Sequence, residues 1–280
     1  MRILLCGALG RMGKEVEKCI AETDDISVAA RVDRCCKKDA DGHLKDDMDK
    51  HSKKGADRRS KAVADGHSKE GAARVENIYD DVANVREDFD AIIDFSAHNA
   101  TISILKVAIV RRCGVVVATT GHDDEEKKYI EYASRFIPIF YSGNMSLGIA
   151  AMARCVGETL RLFKKADVEI IETHHVQKLD APSGTALMLA DVVKRAIGGR
   201  IVLSRCGYGA KEDGDIGVHS LRMGGVFGVH EVRINTGSEV MEFKHEALSR
   251  SVYAKGAIEA VRFIKNKGAG LYGMADLLRQ

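Results

Sequence analysis

The sequence predicts an α/β protein, with a domain built on a parallel sheet followed by an α+β domain with a mixed sheet. Three observations predict it. The first third alternates short Ile- and Val-rich runs with helical patterns. A glycine-spaced loop, Gly7-Ala8-Leu9-Gly10-Arg11-Met12-Gly13, follows the first of these runs and opens a helix. After about Met145, strand-like runs follow one another with few helices between them.

In order, Ile3–Cys6 is an apolar strand, Met12 to about Glu22 a helix, and Ile26–Val32 a second strand ending at Asp33. Ala91–Phe95, Val115–Thr119 and Ile137–Tyr141 are further strands, with helices over Thr101–Arg112 and Glu125–Arg135 between them. Short buried strands separated by helices imply a parallel sheet covered on both faces. From about Cys36 to Ala73 the chain is rich in Lys, Asp, His, Gly and Ser and reads as a solvated insertion. Cys35, Cys36, His43 and His51 lack ligand spacing, so no metal site is expected. Beyond Met145 come a helix (Leu147–Lys164), a strand (Val168–Ile171) and a helix (Thr185–Ile197) with Gly198-Gly199 as its C-cap. Strands follow at Ile201–Cys206, Gly217–Arg222, Val226–Asn235 and Glu239–Ala247, the last two flanking the turn Thr236-Gly237-Ser238. A final helix, Ala254–Lys265, resembles first-domain material. The domains are therefore expected at 1–144 with 250–280, and at 145–249.

Composition narrows the function. The chain has 280 residues, net charge +2 and 5% aromatics, with no long basic block, so nothing marks a nucleic-acid partner. No apolar run approaches eighteen residues, which argues against a membrane span. The first residues carry no secretory pattern, and the seven cysteines are scattered and odd in number. A cytoplasmic location with reduced thiols is expected.

Glycines at 7, 10 and 13 let the backbone turn tightly and approach a pyrophosphate, while the helix start offers N–H donors. Asp33 lies twenty residues past Gly13, at the end of the next strand, where a ribose-binding acid belongs. This is a Rossmann-type arrangement. An acid suits the 2′-hydroxyl of NADH and the neighbouring Arg34 suits the 2′-phosphate of NADPH, so NADH or NADPH is expected with preference open. Ala118-Thr119-Thr120-Gly121 and Ser142-Gly143-Asn144-Met145 lie at carboxyl ends of strands, where such sheets bind ligands.

The richest stretch runs from Glu172 to Thr185 and crowds His174, His175, Lys178, Asp180, Ser183 and Thr185 into fourteen positions. Pro182-Ser183-Gly184-Thr185 reads as a helix start with N–H groups free for a carboxylate. Hydride addition to C=N or C=C leaves negative charge to be protonated. An imidazole, with a reference pKa of about 6.5, suits that task near neutral pH. Lys178 can donate a proton or hold a carboxylate, and Gly184 and Thr185 can clamp a second one. The pattern fits a small dicarboxylate substrate. Alternatively, adjacent histidines divide between core and surface, and Lys178 with Asp180 forms a surface ion pair.

These residues resemble the 4-hydroxy-tetrahydrodipicolinate reductase (dihydrodipicolinate reductase) family. Its pattern E-x-H-H-x-x-K-x-D-A-P-S-G-T-A is matched by Glu172–Ala186. Further matches are Asp94-Phe95, Thr119-Thr120-Gly121, Asn144-Met145-Ser146, Arg222-x-Gly224, Gly228-x-His230, His245, Ser249-Arg250 and the tail Gly270–Met274. The resemblance implies a Rossmann-type parallel sheet domain plus an α+β substrate and tetramerisation domain with a mixed sheet, in a homotetramer. It implies NAD(P)H-dependent reduction of a cyclic imine in lysine and diaminopimelate synthesis. His174 would be the general acid/base and Lys178 a second proton donor. His175, Gly184 and Thr185 would bind substrate, with Asp180 and Ser183 shaping the helix start. Gly7, Ala8, Leu9, Gly10, Arg11, Met12, Asp33, Arg34, Ala118, Thr119, Thr120, Ser142, Gly143, Asn144 and Met145 would line the cofactor. Ala118 stands where the family usually has glycine, and Ala97-His98 where some relatives carry an arginine. Two other readings share the architecture. One is an amino-acid or semialdehyde dehydrogenase, whose acylating type needs a catalytic cysteine in a defined loop; the other is a non-catalytic NAD(P)H sensor, which needs no proton donor.

Overall fold

The structure is a computed structural model that describes residues 1–34 and 77–279. The polar stretch 36–73, with the cysteines and histidines weighed there for a metal, lies outside the described residues. The expected pairing of a parallel with a mixed sheet is what the chain forms. The first half runs β1 (Arg2–Cys6), α1 (Arg11–Ala21), β2 (Ser27–Val32), β3 (Ile78–Tyr79), β4 (Ala91–Asp94), α2 (His98–Arg111), β5 (Gly114–Val117), α3 (Asp124–Ala133) and β6 (Pro138–Tyr141). The second half runs α4 (Leu147–Leu162), β7 (Asp167–His174), α5 (Gly184–Ile197), β8 (Arg200–Leu203), β9 (Asp215–Arg222), β10 (Val229–Asn235), β11 (Val240–Glu246), α6 (Ser251–Ile264), β12 (Gly270–Tyr272) and α7 (Met274–Leu277).

The first sheet has the order β12-β6-β5-β4-β1-β2-β3, with every neighbouring pair parallel. The chain order reverses between β1 and β4, which opens a crevice at their carboxyl ends. β1 is apolar and buried throughout Ile3–Cys6 because helices cover both faces. Val16, Cys19 and Ile20 of α1 and Ala257, Ile258 and Val261 of α6 pack on one face; Ile104, Leu105 and Ala108 of α2 and Ile130 and Ala133 of α3 pack on the other. Each fully buried aliphatic side chain contributes about 1.5–3 kcal/mol. α6 follows the second sheet in sequence but returns to the first. A side chain at Gly256 would overlap the Met145 carbonyl oxygen, so glycine lets α6 press against the start of the crossover.

The second sheet has the order β11-β10-β7-β9-β8 and is mixed: β7, β8 and β9 are parallel, while β10 is antiparallel to β7 and β11. Its register builds the site. On the face covered by α4 and α5, Val168 of β7 lies beside Ile216 and Ile234, and Ile170 beside Val218 and Val232. Two residues further along, the same face turns polar: Glu172 lies beside Ser220 and His230, and His230 beside His245. One more step brings His174 beside Arg222.

Element limits differ from the sequence expectation where polar residues stay in regular structure. β7 continues three residues past Ile171, because Glu172 and His174 face inward in the strand alternation. α2 begins at His98, ahead of the expected Thr101. β12 and α7 carry no pattern long enough to read; β12 exists through its pairing with β6.

Candidate active site

The glycine loop is built by contact rather than by turn propensity alone. Gly7 has φ 76°, and its N–H donates to Val32 O at 2.8 Å. A Cβ on Gly7 would overlap the Phe95 carbonyl, and one on Gly13 would overlap Gly7 O. Gly10 is exposed at the N-cap of α1 and supplies no capping side chain, so the first N–H groups of the helix face outward. Ala8 is buried, and Arg11 and Met12 form the first turn of α1. Asp33 Oδ2 accepts from Leu9 N at 2.9 Å, tying the end of β2 to the loop. Arg34 donates to Asn99 Oδ1 at 3.0 Å, across to the start of α2. Gly7, Gly10, Asp33, Arg34, Ser96 and Ala97 line one cavity of about 290 Å³. Tight glycines, a free helix start and an acid–arginine pair at the end of β2 fit a dinucleotide.

Ala118 and Thr119 are buried after β5, where Ala118 N and Thr119 Oγ1 both donate to Asp94 O. The loop continues into His122, which the sequence reading missed. Buried His122 bridges Thr101 Oγ1 (2.9 Å) and the Tyr141 hydroxyl (3.3 Å), and Thr101 Oγ1 donates to Asp94 Oδ2 (3.0 Å). His98 Nδ1 contacts Glu126 at 2.9 Å. In the loop after β6, Ser142 Oγ donates to Asn144 O, and Met145 is buried. Asn144 Nδ2 donates to Thr185 Oγ1 at 2.7 Å, joining this loop to the start of α5. Thr120, Ser142, Gly143, Asn144, Gly184 and Thr185 border a second cavity of about 1120 Å³. The walls of that cavity do not include His174, His175 or Lys178.

Glu172 is the centre of the histidine motif. It is fully buried, and Arg222 grips it with two bonds of 3.0 Å each. Ser183 N donates to it at 3.2 Å, and its Oε2 meets His174 Nδ1. Burial alone would raise its pKa, but the bonds from His174 and Arg222 outweigh that and lower it to about 2. A carboxylate on Nδ1 fixes the imidazole and leaves Nε2 for chemistry. Ser183 caps α5 by accepting from Ala186 N, and it bonds His230 Nε2 at 3.1 Å. Burial, followed by the neighbouring His174, pushes His230 down to about 3, so it is neutral at pH 7. Among the described residues the Gly184 and Thr185 N–H groups have no acceptor, and Gly184 faces open space. Lys178 pairs with Asp180 at 2.7 Å, and Arg222 also holds Asp180 O at 2.5 Å, strapping the loop down. Burial and then Arg250, His174 and Arg11 hold His175 below the ordinary imidazole value.

Arg222, His230 and His245 were visible as motif matches but carried no role. The signal that finds them is register: each sits on the covered face, level with Glu172 or His174. Ser146, the N-cap of α4, bonds His245 Nε2 at 3.2 Å and ties this row to the first sheet's last loop.

A glycine-lined crevice on one sheet and a carboxylate-backed histidine beside a free helix start on another are the marks of an NAD(P)-dependent oxidoreductase built on two sheets. Models of the dihydrodipicolinate reductase N-terminus and C-terminus match residues 1–145 and 148–278. The chain belongs to the dihydrodipicolinate reductase family. It is 35% identical to 4-hydroxy-tetrahydrodipicolinate reductase of Caldanaerobacter subterraneus subsp. tengcongensis, covering 100% of this chain and 99% of the relative. It is 32% identical to the Clostridium tetani enzyme of the same name, over 99% and 97% of the two chains. A dipicolinate-bound dihydrodipicolinate reductase from Paenisporosarcina sp. TG-14 superposes with a TM-score of 0.73 at 21% identity, over 99% and 98% of the chains.

Proposed function

We propose that this chain reduces the cyclic imine derived from 4-hydroxy-tetrahydrodipicolinate to tetrahydrodipicolinate, with NADH or NADPH, in lysine and diaminopimelate synthesis. The observation that carries this reading is His174 held through Nδ1 by a buried, arginine-gripped Glu172. The bound nicotinamide supplies a hydride. Residues 1–144 and 250–280 form the dinucleotide-binding domain, and 145–249 the substrate and oligomerisation domain. Gly7–Met12, Asp33 and Arg34 hold the adenosine and pyrophosphate side, and Ala118–Thr120 with Ser142–Met145 position the nicotinamide side. His174 acts as general acid through Nε2. Lys178 is a second proton donor beside one substrate carboxylate. His175, Gly184 and Thr185 bind the other, using the unpaired N–H groups of α5. Catalysis draws on closure of one domain toward the other.

Two of the described cysteines, Cys155 on α4 and Cys206 after β8, are exposed, but neither lines the cavities described above, and the buried ones are poor nucleophiles, which disfavours an acylating semialdehyde dehydrogenase. Burial raises the thiols of Cys6 and Cys113, the latter to about 12, which keeps them protonated and unreactive. Free thiols at Cys6, Cys19 and Cys113 are in keeping with a cytoplasmic enzyme. No helix among the described residues is long and apolar enough to cross a membrane.

The test is NAD(P)H absorbance with substrate generated from pyruvate and aspartate semialdehyde by a synthase. Oxidation that depends on the synthase is expected; none with either cofactor, despite tight cofactor binding, sinks the reading. A ratio of rates favouring NADPH assigns dominance to Arg34, and the reverse to Asp33.

The second sheet supports the oligomer. Among the described residues, helices cover one of its faces. The other presents Leu221 and Val240, 47% and 58% exposed, among the ion pairs Arg233–Glu242 and Lys244–Glu231. An uncovered five-stranded face of this kind suits pairing with further copies of the chain in a homotetramer. Sedimentation equilibrium is expected to give four times the 30.5 kDa chain mass. A single-chain mass removes the proposal.

A further inference from the structure

Gly228 is buried immediately before β10, and it is absent from the glycines with positive φ. Its backbone therefore does not demand glycine. What the missing side chain does is keep a space open. A methyl group there would lie 3.0 Å from His174 Nε2 and 3.5 Å from the Tyr253 hydroxyl oxygen. The free nitrogen of the proton-donating histidine and a phenol from α6 thus border one gap, which a methyl group would slightly overfill. Among the described residues the Tyr253 hydroxyl has no hydrogen-bond partner, while its ring packs against the core of the first sheet. The hydroxyl comes from one sheet's helical layer and the imidazole from the other sheet, so the gap lies where the two halves of the chain meet.

We propose that Tyr253 is a further catalytic residue, whose hydroxyl donates a hydrogen bond to the substrate at the place where His174 Nε2 delivers its proton. The inference rests on the functional reading above. In the step, hydride adds to the unsaturated substrate and the charge it creates is quenched by the proton that leaves His174 Nε2. Tyr253 keeps its own proton throughout and stabilises the developing negative charge by donation. Burial pushes its phenol up and the nearby Arg250 pulls it back only in part, so the hydroxyl stays protonated under working conditions. The groups facing it are His174 across the gap and Arg250 at the start of α6. Among the described residues no carboxylate acts on it. A positioned donor of this type typically carries roughly a hundred- to a thousand-fold in rate.

Tyr253→Phe removes the oxygen and leaves the ring in the core. The expected result is a fall in kcat of at least about tenfold, with KM for the imine within about threefold, unchanged cofactor binding by fluorescence titration and an unchanged Tm. A purely structural role would instead move Tm or cofactor affinity. Gly228→Ala, which fills the gap, is expected to lower kcat/KM by a similar factor. Wild-type turnover together with a Tyr253→Phe kcat within twofold of it overturns this inference alone. Absence of wild-type turnover overturns the functional reading and this inference with it.

Discussion

His174→Ala turns over roughly a hundred- to ten-thousand-fold more slowly than the wild type, while binding of NADH or NADPH persists. Nδ1 is engaged by Glu172, so Nε2 alone borders the Gly228 gap. Nothing in the glycine loop, Asp33 or Arg34 depends on this imidazole, so cofactor affinity is spared. His174 also satisfies one oxygen of buried Glu172, so the alanine variant loses some stability. Thermal unfolding and stopped-flow turnover on the same sample separate the two effects. Glu172→Gln provides the control. It keeps the imidazole but weakens its orientation, so kcat falls less than in His174→Ala while the pH profile of kcat changes shape. Normal turnover in His174→Ala removes the acid/base assignment.

Much of this was legible in the sequence. Gly7–Gly13 with Asp33, and the Ile/Val runs between helical patterns, specify the parallel sheet because a strand buried on both faces has few alternatives. The motif from Glu172 to Thr185 was equally plain, since so many polar side chains in one stretch are costly to bury without function. Its secondary structure was not. Glu172 and His174 look like loop residues, yet they continue β7 because their inward faces find Arg222, Ser183 and His230. Arg222 lies 50 residues from Glu172 and His230 further still, and only strand register brings those two level with it, while Ser183 reaches it as the N-cap of α5. His122 escaped for a related reason. Its role comes from Thr101 and Tyr141, on a helix and a strand that meet it only in the folded sheet. Short elements such as β12 are set by a neighbour's edge, which local pattern does not record.

Arg222→Met is the most damaging of the substitutions considered for stability. Arg222 supplies both 3.0 Å bonds that compensate Glu172, whose side chain is fully buried. Removing one partner of a buried pair typically costs about 3–5 kcal/mol, because the remaining charge is left in a poor environment. The same change releases Asp180 O, so the loop carrying Lys178 loosens and KM for the imine rises. The pH dependence has a definite sign. Glu172 titrates near 2 when folded, against an ordinary value of 4.5. Its stabilisation is therefore complete above the ordinary value and disappears as pH falls from about 4.5 towards 2. A depression of that size corresponds to about 3 kcal/mol, shared between the bond from His174, the larger contribution, and the bonds from Arg222. Urea unfolding at pH 7 and pH 3 is the measurement. Arg222→Met is expected to be far less stable than wild type at pH 7, with the difference shrinking at pH 3, where the wild type has lost part of the stabilisation that its depressed Glu172 confers and the variant's carboxylate, no longer held by the arginine, takes up its proton. The double variant Glu172→Gln, Arg222→Met recovers part of the loss, since the uncompensated charge has gone. An Arg222→Met deficit that is equal at both pH values, and unrelieved in the double variant, means that Arg222 stabilises the sheet by packing rather than by neutralising Glu172.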